Sequence, residues 1–151
     1  MLIDRQEAEW KENVSKKPKL HFYRLFKKNL RIENYVKLNL DPQQRSLMAQ
    51  LRLGILPLRV ETGRFVNLAL ENRLCQICNS EEIEDECHFL FECERYNELR
   101  ENWEIAIKNQ CSYIQFLDLE DQLSFLFDNL ARSTAKYIVN CFTQRKYYLF
   151  G

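Results

Sequence analysis

Apolar residues along this chain recur at intervals of three and four, and no segment sustains the two-residue alternation of a half-buried strand. The pattern predicts helices throughout. A first helix over residues 4–14 puts Ile3, Trp10 and Val14 on one face. A break at residues 15–19 follows, and Pro18 suits the first turn of a second, aromatic helix. There Phe22, Tyr23 and Phe26 interleave with Arg24, Lys27 and Lys28, and Ile32, Tyr35, Val36 and Leu38 continue the apolar pattern. Asp41-Pro42-Gln43-Gln44 is a helix start, with Asp41 as cap, Pro42 in the first position and Gln44 completing a capping box. Leu47, Met48 and Leu51 form the stripe of that helix, and Gly54 ends it. Residues 56–65 read as a turn-rich connection. Further helices are predicted over residues 94–109 (Leu99, Trp103 and Ile107 inward, Glu98 and Lys108 wet), 118–130 (Leu119, Leu123, Leu126 and Phe127 inward) and 133–150 (Ile138, Cys141 and Phe142 inward).

This is an all-α chain, expected to form one helical domain with a small Cys/His knuckle in the middle. Its parts are a basic, aromatic stretch over residues 1–40, a helix plus the Cys/His region over 41–110, and C-terminal helices over 111–151. At 151 residues with 46% hydrophobic and 13% aromatic content, disorder is excluded. Three Gly and three Pro exclude collagen-like and low-complexity classes. No run approaches the roughly 20 apolar residues of a membrane helix. The opening residues lack a basic segment followed by an apolar one, so an intracellular protein, nuclear or cytoplasmic, is expected. Its six cysteines then read as reduced thiols or metal ligands.

Zero net charge conceals an asymmetry. Residues 1–73 carry fifteen Lys and Arg against eight Asp and Glu, residues 74–128 three against fourteen, and residues 129–151 four against none. Either the basic and acidic parts neutralise each other, or each faces a partner of opposite charge.

Cys75 and Cys78 form a C-x2-C pair, His88 follows after nine residues, and Cys93 four residues beyond that. Two cysteines two residues apart present both sulfurs to one ion from a tight turn, and a second pair closes the tetrahedron. Thiolates with one imidazole suit zinc. Four protein ligands leave no open position, so one structural Zn2+ is expected. Cys87 offers a different set, C-x2-C-x8-C-x5-C; neighbours on a helix point about 100° apart, so only one of Cys87 and His88 should ligate. A buried thiol cluster without metal is the other reading of the same residues. Cys111 and Cys141 stand alone and read as core thiols. The intervening residues 81–88 read as an exposed loop leading into a helix that carries His88, anchored by Phe89, Leu90 and Phe91.

Several stretches resemble one family. Arg45-Ser46-Leu47 through Leu51-Arg52-Leu53-Gly54 is similar to the RS-x-LA-x-LR-x-G stretch near the C-terminus of non-LTR (LINE-type) retrotransposon reverse transcriptases. Glu61, Gly63 and Arg64 match its E-x-GR. Arg73 through Cys78 resembles the R-x-C-x-x-C that opens that family's zinc-binding region, and Glu84 through Cys93 its E-x-E-x-HFL-x-x-C segment. Tyr96 and Arg100 match the continuation. Weaker matches at Lys19-Leu20, Tyr23, Phe26-Lys27, Tyr35, Lys136-Tyr137-Ile138 and Arg145 extend it over most of the chain. The resemblance implies Cys75, Cys78, His88 and Cys93 as zinc ligands, in a region that follows the polymerase and assists binding of template RNA or target DNA. The departure is as informative. There is no Y-x-D-D-like run, and the aspartates are only Asp4, Asp41, Asp85, Asp118, Asp121 and Asp128. Polymerase activity is not implied, and the chain looks like a stand-alone C-terminal fragment, a relic of a transposon reading frame or a captured domain.

Two classes of function follow. A nucleic-acid-binding module would use Lys16, Lys17, Lys19, Arg24, Lys27, Lys28 and Arg31 on phosphates, with Phe22 or Tyr23 free to stack; the same helix could instead be a solvated face with its aromatics in the core. A protein-interaction or scaffold module would use the acidic middle, or Leu2, Ile3 and Trp10 as an apolar patch. Neither class calls for a membrane or a small-molecule substrate. No catalytic residue is expected. A Cys–His nucleophile pair from Cys87 or Cys93 with His88 would compete with metal binding for the same atoms. His21 reads as a partly buried helix residue, and the carboxylates of residues 81–86 and 92–104 as a solvated face.

Overall fold

The computed structural model describes residues 2–151, and among them there is no β-strand. Eight α-helices follow one another: α1 Leu2–Ser15, α2 His21–Phe26, α3 Asn34–Lys37, α4 Pro42–Arg52, α5 Arg59–Phe65, α6 Asn97–Gln110, α7 Leu119–Asp128 and α8 Ala131–Phe150. The 20-residue α8 is the spine, with α4, α6 and α7 packed along it. Phe22 and Phe26 of α2 close over Phe127 of α7, the Phe26 and Phe127 rings stacking at 4.8 Å. Between α6 and α8, the Trp103 and Tyr137 rings stack at 4.1 Å and Trp103 Nε1 donates to Thr134 Oγ1. Among the described residues, no helix is long and apolar enough to cross a membrane.

Local signals account for the best-defined ends. Asp41 accepts from Gln44 N at 2.8 Å and the Gln44 side chain accepts from Asp41 N, which completes the capping box. Gly54 ends α4 at φ +69°, in the left-handed region, and a Cβ there would lie 2.6 Å from the Lys19 carbonyl oxygen. Asp118 caps α7 through Asp121 N.

The structure corrects three expectations and divides one stretch more finely. Residues 56–65 are not all turn: α5 fills Arg59–Phe65, and its Gly63 is there for contact, since a Cβ would meet Arg73 Cγ at 2.6 Å. The apolar pattern of Ile32, Tyr35, Val36 and Leu38 falls around a separate short helix, α3, and not on the aromatic helix. The latter stops at Phe26, where Asn29 Oδ1 accepts from Arg31 N and gives the chain a turn in place of helix. Ile32 and Val36 are consequently exposed. Leu119 is 41% exposed, because the stripe of α7 begins one turn later at Leu123. Finally, the acids before His88 are only in part a solvated face: Glu81 and Glu82 are exposed, but Glu84 and Glu86 are buried.

Candidate metal centre

Cys75 and Cys78 sit on a loop closed by an antiparallel bridge between Leu74 and Ile83. Cys75 N donates to Glu82 O at 2.8 Å and Glu84 N to Arg73 O at 3.0 Å, so the two-cysteine turn has a fixed base. Glu81 turns the loop back at φ +59°. The expected helix carries His88, and it takes π form over His88–Glu92, with Cys93 as the residue that follows its end. Asp85 Oδ1 accepts from His88 N at its start, and Cys93 N donates to the His88 carbonyl at 2.8 Å. That wider turn joins residues five apart, which brings these two side chains to the same side.

The ligand atoms of Cys75, Cys78, His88 and Cys93 all lie within 4.8 Å of one another, and all four residues are buried. His88 Nε2 faces Cys78 Sγ at 3.4 Å. With zinc–sulfur bonds of about 2.3 Å and zinc–nitrogen bonds of about 2.0 Å, the edges of a tetrahedron are roughly 3.5–3.8 Å. A small inward movement would bring this set to that geometry. The second ring nitrogen of His88 supports the fit. Nδ1 is buried without a hydrogen-bond partner, and Glu92 Oε2 stands 3.5 Å away. A cation on Nε2 would make Nδ1 an N–H donor with a carboxylate at hand, the arrangement that orients metal-bound imidazoles. Cys87 is half-buried and stands outside the cluster.

The protons belong to the same account. The Cys75 thiol is pushed up to about 12, first by its hydrogen bond with Cys93 and then by burial. His88 is raised to about 9, chiefly by its bond to Cys75 against the opposing effect of burial. A metal must displace these protons, because thiols ligate as thiolates. The buried Cys3His cluster could therefore hold a metal ion, and with four protein donors it would hold it closed to solvent.

The surroundings fasten the cluster to the helices. Arg100 of α6 donates to the carbonyls of Leu90 and Cys93, and Tyr137 of α8 donates to the same Leu90 oxygen at 2.7 Å. Beside Cys75, Glu84 is 1% exposed and accepts both Nε and Nη2 of Arg145, at 3.0 and 2.7 Å, together with the Arg59 N–H. Burial alone would lower the Arg145 pKa; its bonds to Glu84 raise it instead. Glu86 accepts from His21 Nε2 at 3.1 Å, while His21 Nδ1 faces the Pro18 carbonyl. Both nitrogens thus meet acceptors and favour the imidazolium. Sequence reasoning missed Glu84 and Glu86 by counting them among solvated acids. No signal in the sequence separates them, since Glu84, Asp85 and Glu86 are consecutive acids; in the structure Glu84, Glu86 and His88 alternate with less buried neighbours.

The basic candidates are less uniform than their sequence. Lys16 pairs with Glu12, Lys19 with Glu61, Lys27 with Glu33 and Lys28 with Glu120. Among the described residues, Lys17, Arg24 and Arg31 have no carboxylate at ion-pair distance. Phe22 is buried and cannot stack on a ligand, whereas Tyr23 is half-buried. Leu2 and Ile3 are 74% and 73% exposed, and Trp10 is half-buried against Tyr23. Cys111 and Cys141 are buried core thiols. No protein-family model, no curated protein and no solved structure matches this chain.

Proposed function

We propose that this chain is a zinc-binding module derived from the C-terminal region of a non-LTR retrotransposon reverse transcriptase, which assists binding of RNA or DNA inside the cell and has no polymerase activity of its own. The buried cluster of Cys75, Cys78, His88 and Cys93 carries this reading. Three thiolates and an imidazole are the donor set of a structural zinc site, and the same four residues are the ligands that the resemblance implies. The ion's part is to lock the 75–93 segment against α6 and α8, not to perform chemistry. The acids around it are held by Arg145 and His21, which leaves contact with phosphates to the basic stretch at residues 16–31.

The test is binding of zinc-loaded protein to RNA and DNA across a salt series. Affinity is expected to fall linearly with salt on logarithmic axes, with a slope set by the number of phosphate contacts. No binding to either polymer would transfer the reading to an interaction module, for which exposed Leu2 and Ile3 supply an apolar patch.

A further inference from the structure

One cleft on the surface is lined by cations and apolar groups alone. It lies between α1 and α2, encloses about 230 Å³, and is formed by Trp10, Lys11, Val14, Arg24, Lys27 and Lys28, with no carboxylate among them. Val14 is buried in its floor, and the half-buried Trp10 ring stands edge-on to Tyr23 at 6.4 Å. Neither end stops there. Arg24 also lines a cleft of about 500 Å³ that includes Lys19 and Arg64. Lys27 and Lys28 also line one of about 310 Å³ that includes Arg31. Three clefts therefore share their basic residues end to end. Carboxylates enter only the two outer ones: Glu61 and Glu86 are buried, Asp85 and Glu33 half-buried, and Asp128 exposed.

We infer that this run of clefts is the path of a single nucleic-acid strand, with one base stacked on Trp10 and the neighbouring phosphates held by Lys11, Arg24 and Lys28. The inference rests on the nucleic-acid reading above and adds the path, the strandedness and two residues, Trp10 and Lys11, that lie outside the basic stretch. Proteins that hold single strands join a basic groove that follows the backbone to aromatic side chains on which bases stack. A duplex keeps its bases stacked inside and offers Trp10 nothing. An acidic protein would meet the cations and leave the ring unused. All three lysines are ion-paired, and Lys27, only 10% exposed and held by Glu33 at 3.0 Å, stays with its partner; the other two pairs do not block the site. Lys11–Glu7 and Lys28–Glu120 are both 3.1 Å pairs whose lysines are 57% and 55% exposed. Pairs in water are weak and readily exchanged for a phosphate.

Tryptophan fluorescence reads this site directly. Trp103 is 4% exposed, so quenching by an added oligonucleotide reports Trp10. The zinc-loaded full chain is titrated with oligouridine and oligothymidine of about 12 nucleotides, with a duplex of equal length, and with polyglutamate. Quenching by the single strands and weaker binding of the duplex are expected; the two single strands distinguish RNA from DNA. Lys11→Gln with Lys28→Gln should weaken binding about ten-fold and reduce the logarithmic salt slope by about 0.7 for each lost contact. Trp10→Leu, followed by anisotropy, should also weaken binding about ten-fold; the exposed lysine pair carries the test if that variant fails to fold. Wild-type binding that the lysine double variant leaves unchanged would overturn the path alone. Tighter binding of the duplex would overturn the strandedness, and equal quenching by polyglutamate would give the groove to an acidic protein. Failure of the wild type to bind any nucleic acid would remove this inference together with the reading beneath it.

Discussion

Cys87 and His88 are neighbours in sequence with different surroundings. The His88 ring is buried among three thiols, while the Cys87 thiol lies outside them, held up at about 12 chiefly by burial. His88→Ala is therefore expected to lose the metal and the cooperative thermal transition together, because metal binding and folding are coupled. Cys87→Ser should keep both, as judged by zinc content and circular dichroism melts. Loss of zinc from Cys87→Ser with retention by His88→Ala would reverse the ligand assignment. His21 supports a second expectation. Its pKa is raised, mainly by its bond to Glu86 and against burial. The folded state thus binds the His21 proton more tightly than the unfolded chain. The resulting stabilisation is complete below the ordinary value of 6.5 and disappears as pH rises through the raised folded value. His21→Ala should cost more stability at about pH 5.5 than at about pH 9 in paired urea titrations. An equal cost at both would make His21 a packing residue only.

Arg145 ties α8 to the loop that carries Cys75. Arg145→Met would leave the Glu84 carboxylate buried and uncompensated, a loss of about 3–5 kcal/mol. Adding Glu84→Gln removes the stranded charge and should recover part of that loss, measured as the urea midpoint at unchanged slope. A double variant no better than Arg145→Met would show that the pair matters through shape and not charge. This contact also marks what could be read in advance. The capping box at Asp41 and the left-handed stop at Gly54 are written in residues three to four apart or in a single glycine, so local pattern suffices. The ligand spacing is likewise local, and the four residues come together as their types and intervals imply. Glu84 and Arg145 are 61 residues apart, and nothing in either neighbourhood announces the other. Residues 59–65 were obscured for a related reason. Pro57 and Gly63 imitate turn punctuation, whereas Gly63 is small because the Arg73 side chain lies across it.

Charge asymmetry along the chain is partly cancelled in three dimensions. Lys28–Glu120, His21–Glu86 and Arg145–Glu84 each join a basic part to the acidic middle. Arg24, between α1 and α2, keeps no carboxylate partner among the described residues and donates to the Ser15 carbonyl instead. The core shows why a metal would matter to the molecule as a whole. Cys75, Cys78 and Cys93 belong to the same buried cluster as Leu51, Phe89, Trp103 and Ile138, so the ligands are core residues as well as donors. Three buried thiols and an imidazole make an ordinary apolar core poorly, and an ion that joins them would tie the 75–93 segment to α4, α6 and α8. Elemental mass spectrometry on protein purified without chelator tests this claim most directly. The account predicts one zinc per chain, lost on chelation together with the cooperative melt. A well-folded chain that carries no metal, and melts identically with and without chelator, would contradict it.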